Sequence, residues 1–387
     1  CNQLENGHGK ATGHLYGSVS GISHDVYSGG SAETEELSLV RKFSRVKRSS
    51  DKSFAKLYPD EAKLPKCRPV IKEREFKLSV SPNIKLWDVT ESFPEAYNGR
   101  WRPPSCRSEL RLAVLVPYRA RETQINIFLM NMHRFFQMKQ YSYGIFVIEQ
   151  TAKGPFDKGL LFNAGFLWVN QRWPNYYNCF ALHDIDLFPM NTTMSYECPS
   201  GLAILHLASH INKFDFKVIP GLTVGGISVL NRETYLTMNG FSNLYFNWGA
   251  EDDDFFYRLV AVRGKLIRNL VKKYLTYMLH HNQTSENENR FSILGTWRER
   301  RHVDGVNNMP SYKITDIQAK ECTTRIYIEI DVNGILKEMS IRMNKPLDYF
   351  QPKAKSRKTM VQILQEKKKR HKMLQLRGQK SQNQAKT

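Results

Sequence analysis

Residues 178–190, NCFALHDIDLFPM, run from an apolar stretch straight into a pair of acids. Phe180 to His183 has the length and character of a buried strand, and Pro189 marks a stop soon after it. Open α/β sheets bind ligands just beyond the carboxyl ends of their strands, so Asp184 and Asp186 stand where a site is expected. On an extended backbone, side chains at i and i+2 project to one side, and these carboxylates could share a divalent cation bound to a diphosphate. The plain alternative is a pair of solvated turn acids.

Outward toward the start of the chain, the pattern that would build such a sheet is present. Leu112 to Val116 is an apolar run suited to a buried parallel strand, and Arg121 to Lys139 alternates at near-helical spacing. Gly144 to Glu149 reads as the next strand and Lys158 to Val169 as a second helix, so strands and helices alternate as in an α/β fold. Prolines at 65, 69, 82, 94, 103 and 104 punctuate the approach, and the globular domain is expected to start near Leu64. Residues 1–63 lack a sustained apolar period and read as a flexible stem.

Toward the end of the chain, residues 246–259, FNWGAEDDDFFYRL, place Glu251, Asp252, Asp253 and Asp254 in a row. Four adjacent acids repel, which calls for a cation or a polyhydroxyl ligand; a helix N-terminus, whose dipole favours carboxylates, is the milder account, and the two can coexist. Residues 277–283, YMLHHNQ, offer histidines beside a thioether, a soft partner for a hard ion, so that satisfied core or surface histidines fit the spacing better than metal ligands. Gly225 and Gly226 in LTVGGISVL fit either a close backbone approach inside a strand or a bulge.

The chain has 387 residues, 41% of them hydrophobic, enough for one large domain with tails. Its net charge of +20 suggests an anionic partner, but beyond Gln351 twelve basic residues face Glu366 alone, so +11 of that charge lies in the tail. The six cysteines show no close zinc-type spacing, which leaves disulfides or buried thiols. Asn191 and Asn282 head Asn-x-Thr sequons, in keeping with a lumenal setting. The chain opens on Cys1 and contains no apolar run near the roughly 20 residues of a membrane helix, so any anchor is expected outside it.

Taken in order, LAVLVPYRAR, FDKGLLFNAGF, HDIDLFPMN, VGGISVL, NGFSNLYFNWGAEDDDFFYRL, YMLHHN and DGVNNMPSYKI resemble the β-1,4-galactosyltransferase family, from about Leu64 to Val332. The resemblance implies a nucleotide-diphospho-sugar transferase fold of the GT-A type, α/β, with one catalytic domain on a mixed, mostly parallel sheet. It leaves residues 333–387 as a basic extension, solvated or partly disordered. It also implies a type II membrane protein of the Golgi lumen, with no nucleic acid as partner. By the same resemblance, Mn2+ is held by Asp186, Met278 and His281. Pro117, Arg119, Arg121, Lys158 and Lys213 match positions near the donor nucleotide, Phe156 the aromatic stacked on uracil, and Asp184 a carboxylate on the donor sugar. Trp248 matches a mobile-loop tryptophan, Asp252 the base, and Gly249, Glu251 and Asp253 the acceptor site. Arg290, Phe291 and Leu294 match a pocket for an acceptor N-acetyl group, favouring a GlcNAc end over xylose. Cys67–Cys106 and Cys179–Cys198 fall where the family forms two disulfides.

The departures bear on specificity. Lys158 stands where arginine is usual, keeping the charge but losing the planar fork, and Phe246-Asn247 replaces a Trp-Gly. Thr223 replaces a bulky tyrosine that limits the donor's C2 substituent, and Pro220 another aromatic, so UDP-GalNAc rivals UDP-galactose as donor. The expected reaction is an inverting displacement at the anomeric carbon, with Asp252 taking the proton of a 4-hydroxyl. Two other classes remain: a non-catalytic glycan-binding relative, and a nucleic-acid binder driven by the tail.

Overall fold

The computed structural model describes residues 61–68, 72–151, 154–218, 223–268, 274–280 and 285–350. Most of the stem, the tail beyond Phe350, Pro220, His281 and Asn282 lie outside them.

The apolar run expected to be a buried strand is β2, Arg111–Tyr118, in which Leu112 to Val116 are fully buried. Successive side chains point to opposite faces, so Leu112, Val114 and Val116 join one core cluster while Ala113 and Leu115 join the other. The first cluster is closed by α2, Glu122–Met138, which presents Ile125, Phe128, Leu129, Met132, Phe135 and Phe136 along one stripe. Truncating Phe128 to alanine there would cost about 3–5 kcal/mol. The second is closed by α3, Lys158–Arg172, whose N-cap Asp157 accepts a hydrogen bond from the Leu160 amide at 2.9 Å. A Cβ on Gly165 would lie 2.6 Å from Ile148, so the absence of a side chain lets α3 lie close on the sheet.

Around β2 the described strands form a mixed sheet ordered β10-β11-β3-β2-β4-β7-β6-β8. Here β3 is Ser142–Gln150, β4 Cys179–His183, β6 Ala203–His206, β7 Ile227–Asn231, β8 Lys265–Arg268, β10 Tyr312–Lys320 and β11 Thr323–Ile330. The centre, β11-β3-β2-β4, is parallel, as strand-helix-strand connections require, and β7 reverses the direction beside β4. A short β1, Arg100–Trp101, pairs with β3 off this path. A separate ribbon joins β5, Leu187–Pro189, to β9, Thr276–Met278. Disulfides Cys67–Cys106 and Cys179–Cys198 close loops of 39 and 19 residues, which removes about 3 kcal/mol or more of unfolded-state freedom apiece. Cys322 is a buried free thiol.

Packed residues lie beyond both expected limits of the catalytic domain. Glu61, read as stem, pairs with Arg102 at 3.0 Å. The helix α8, Val332–Met343, read as the start of a solvated extension, buries Ile335 and Met339 in the core, and Phe350 is buried with them. Apolar residues spaced four apart carry a helix onto the sheet however basic the chain beyond.

Candidate active site

A cleft of about 210 Å³ opens at the carboxyl ends of β2 and β4. Pro117 and Arg119 reach it from the end of β2, Arg121 from the start of α2, and Phe156 and Lys158 from the entry to α3. Asp184, Ile185 and Asp186 come from the connection between β4 and β5, Trp248, Glu251 and Asp252 from the start of α5, Glu251–Ala261, and Met278 from β9. Lys213 closes one side. The backbone at Ile185 and Asp186 turns rather than extends, so Asp184 and Asp186 reach the cleft from a bend, not from the extended strand first expected. Asp184 is tied by its amide to the Gly226 carbonyl at 2.8 Å. Asp186 is buried, and its carbonyl accepts from the Leu279 amide at 2.8 Å. With Leu187 opposite Met278 in the ribbon, that bond sets the acid beside the thioether.

Lys158 is the electrostatic centre. Its ammonium lies 3.1 Å from Glu251, 3.1 Å from Asp252 and 3.4 Å from Asp184, with its side chain 16% exposed. Burial works against the charge, but the three carboxylates outweigh it and hold the ammonium well above its ordinary value. Burial raises the carboxyls of Asp184, Glu251 and Asp252 above theirs, Lys158 opposing this and neighbouring acids adding to it. Across the cleft, the Arg119 guanidinium lies 5.1 Å from the centre of the Phe156 ring and donates to the Gly154 carbonyl at 2.6 Å. A Cβ on Gly225 would run into the Asp252 carboxylate. The close approach expected of the Gly-Gly pair is therefore real, although it precedes β7 instead of lying within it.

The acid row divides. Asp254 faces away from the cleft, pairing with Arg258 at 2.6 Å and Arg300 at 2.7 Å, all three fully buried, and Asp304 pairs with Arg300 at 2.5 Å. Asp253 is half-buried and does not line the cleft. The repulsion within the row is thus offset by Lys158 on Glu251 and Asp252 and by Arg258 and Arg300 on Asp254, as well as by the helix start.

Other expected residues lie farther out. Arg290, at the start of α6, Arg290–Gly295, sits 5.8 Å from the Trp248 ring and pairs with Glu286 at 2.6 Å. A Cβ on Gly249 would meet its side chain, so Gly249, at φ +118°, lets the Trp248 loop lie against Arg290. Phe291 points to solvent and Leu294 packs against the core, so the three do not converge on the cleft. Thr223 is also outside the lining; its hydroxyl accepts from the Gly225 amide at 3.3 Å. Asn191 is partly buried, its side-chain oxygen bonded to Thr193. Glu286, Ile185 and Asn247 line the cleft without having been read as site residues. For Glu286, the i,i+4 spacing to Arg290 was the available signal.

Residues 65–199 match the family profile described as the N-terminal region of glycosyl transferase group 7, and 205–282 that described as the N-terminal domain of galactosyltransferase. The chain is 33% identical over 260 residues to beta-1,4-galactosyltransferase 4 of Cricetulus griseus, covering 65% of this chain and 73% of that one. The chain belongs to the β-1,4-galactosyltransferase family. Members of this family are UDP-sugar-dependent hexosyltransferases. It is also 34% identical over 235 residues to beta-1,4-galactosyltransferase 1 of Mus musculus, covering 60% of this chain and only 58% of that longer one. The catalytic domain of Drosophila beta-1,4-galactosyltransferase 7, solved with xylobiose, aligns at a TM-score of 0.50 and 29% identity, over 57% of this chain and 94% of that one. A mutant of that Drosophila enzyme has been solved with manganese, UDP-Gal and xylobiose. The GT-A type of α/β fold implied by the motifs is therefore the fold of this family member. Among the described residues, no helix is long and apolar enough to cross a membrane.

Proposed function

We propose that this family member transfers galactose from UDP-galactose to the 4-hydroxyl of a terminal GlcNAc, in β-1,4 linkage with inversion. The setting proposed is the Golgi lumen. The observation that carries the reading is the cleft in which one ammonium holds Asp184, Glu251 and Asp252 opposite an arginine paired with an aromatic ring.

Phe156 offers a face for a uracil ring, and Arg119, Arg121 and Lys213 supply positive charge for a diphosphate. Asp184, at the inner end, is placed to accept hydrogen bonds from donor-sugar hydroxyls. Asp252, raised above an ordinary aspartate, is a stronger base toward the acceptor hydroxyl. It takes that proton as the oxygen attacks the anomeric carbon, and the bond from that carbon to the diphosphate breaks with its electron pair leaving on UDP. Lys158, shared among three carboxylates, keeps Asp252 oriented and adds charge toward the leaving group. Glu251 and Asp253 are proposed for acceptor hydroxyls, with Trp248 as the cover over them.

The donor set suits a divalent ion: a buried carboxylate at Asp186, the thioether of Met278 beside it, and His281 three residues farther along. A manganese ion bound there would serve as Lewis acid toward the diphosphate. The Drosophila relative's complex with manganese and UDP-Gal supports the metal, and its xylobiose supports xylose as a second candidate acceptor. Thr223, small and two residues from the glycine that packs on Asp252, supports UDP-GalNAc as an alternative donor.

A panel of UDP-Gal and UDP-GalNAc against GlcNAc, glucose and xylose glycosides, with manganese present or chelated, tests the proposal. Manganese-dependent transfer to GlcNAc is expected, and Thr223→Tyr should lower use of UDP-GalNAc relative to UDP-Gal. UDP binding without turnover by any pair would instead mark a glycan-binding relative.

A further inference from the structure

A second cleft, of about 520 Å³, lies at the opposite end of the sheet, beside Leu110 at the start of β2. At about 3.3 Å per strand residue it is some 20 Å or more from the first along β2. Both disulfides reach its wall, through Cys67 and Cys198. The residues just after α2 supply Lys139 and Gln140, and those just before β3 and β4 supply Tyr141 and Asn178.

Lys139 is 3% exposed, yet among the described residues no carboxylate or carbonyl hydrogen-bonds or ion-pairs with its ammonium; the Phe135 ring lies 5.8 Å from it. Burial pulls it down to about 8, with Glu197 acting the other way. A helix C-terminus favours a cation, which explains a lysine at this position but not one whose side chain is so largely buried with no anion in hydrogen-bonding reach. Beside it, the Gln140 side-chain oxygen is buried with no hydrogen-bond donor among the described residues. Among the described residues, Tyr141 makes only long hydrogen bonds, 3.4 Å to Ser195 and to the Tyr196 amide. Glu197 and Glu109 complete the lining, Glu109 already held by Lys66 at 2.6 Å.

We propose that this second cleft binds an acidic sugar residue, a hexuronate, with its carboxylate on Lys139 and its hydroxyls shared among Gln140, Tyr141 and Glu197. A compact inorganic anion would satisfy Lys139 but meet two carboxylates and leave the amide oxygen without a donor. An uncharged sugar would supply the hydroxyls but leave the ammonium unpaired. A single negative charge on a polyhydroxyl ring meets both needs, and the volume lies in the range of sites for small ligands. The site does not depend on the reaction proposed for the first cleft.

The test is calorimetric titration of the full chain with methyl β-glucuronide, with methyl β-glucoside and inorganic sulfate as comparators and UDP as reporter of the first cleft. One equivalent of glucuronide should bind at least tenfold more tightly than either comparator. Lys139→Met should abolish that preference, and Gln140→Gly should weaken glucuronide several-fold, with UDP binding unchanged in both. Gln140 has φ +53°, so glycine relieves its backbone, and this variant keeps the test alive if Lys139→Met fails to fold. Sulfate binding as tightly as glucuronide overturns the sugar assignment. Absence of saturable binding, or binding unchanged in both variants, overturns the site.

Discussion

Asp252 and Asp254 stand two residues apart in the first turn of one helix, with opposite surroundings. Asp252 shares a single lysine with Asp184 and Glu251, and burial raises its carboxyl. Burial also acts on Asp254, but Arg258 and Arg300 outweigh it and hold that carboxyl below its ordinary value. One side of the helix keeps acids short of positive charge, where a proton can be accepted; the other supplies two guanidiniums and anchors the helix. An acid run that looks like one feature is two, divided by the direction each side chain takes.

The sharpest way to break the comparison is to remove charge on the cleft side. Asp252→Asn should lower transfer by about 10²–10⁴-fold, the range for a general base, with UDP affinity and unfolding midpoint close to wild type. Near-normal turnover would remove Asp252 from that role. On the other side, Asp254→Ala should act first on stability. It leaves Arg258 and Arg300 buried with Asp304 as their remaining carboxylate, a loss of about 3–5 kcal/mol by denaturant unfolding. If Asp254→Ala keeps the wild-type midpoint while losing activity, the division between the two acids is wrong.

How far the sequence led follows the same division. Local signals were legible: the apolar run of β2, the stripe of α2, and the break after His183 each fall where their patterning puts them. The Asp-x-Asp pair and the acid row were visible as charge in unusual places. What remained hidden was long-range direction. Asp254 and Arg258 are four apart, as are Arg300 and Asp304, and each pair could be read as a helix-surface contact. That the two pairs interlock in the core depends on α5 packing against α7, Trp297–Arg300, which no local pattern encodes. Lys139 was equally opaque, since a lysine ending an amphipathic helix is ordinarily solvated, whereas here its side chain is buried in the wall of the second cleft. The bend at Asp184 and Asp186 arises because the β5–β9 ribbon is built from segments about ninety residues apart.

The smallest effect concerns acid, and it separates the arginine-held network from the buried histidines. Because the folded Asp254 carboxyl lies below its unfolded value, its contribution is complete above about pH 4 and fades only as pH falls further. His133 behaves in the other sense. It is fully buried between the Tyr143 hydroxyl at 2.6 Å and the Cys322 carbonyl at 2.7 Å, and burial lowers it from 6.5 to about 4, the carbonyl opposing. Between those values the unfolded chain binds the proton and the folded one does not, so stability should fall as pH drops from about 6.5 to about 4 and level off below. The shift sets an upper limit of about 3 kcal/mol for this residue. Unfolding free energies measured at intervals from pH 7 to pH 4.5 should decline, and His133→Gln, though less stable at neutral pH, should flatten the decline. The raised carboxyls of the cleft oppose this trend, since they are relieved by protonation, so Asp252→Asn should steepen it. An unchanged slope in both variants would mean that acid sensitivity arises elsewhere and that His133 takes up its proton without opening the core.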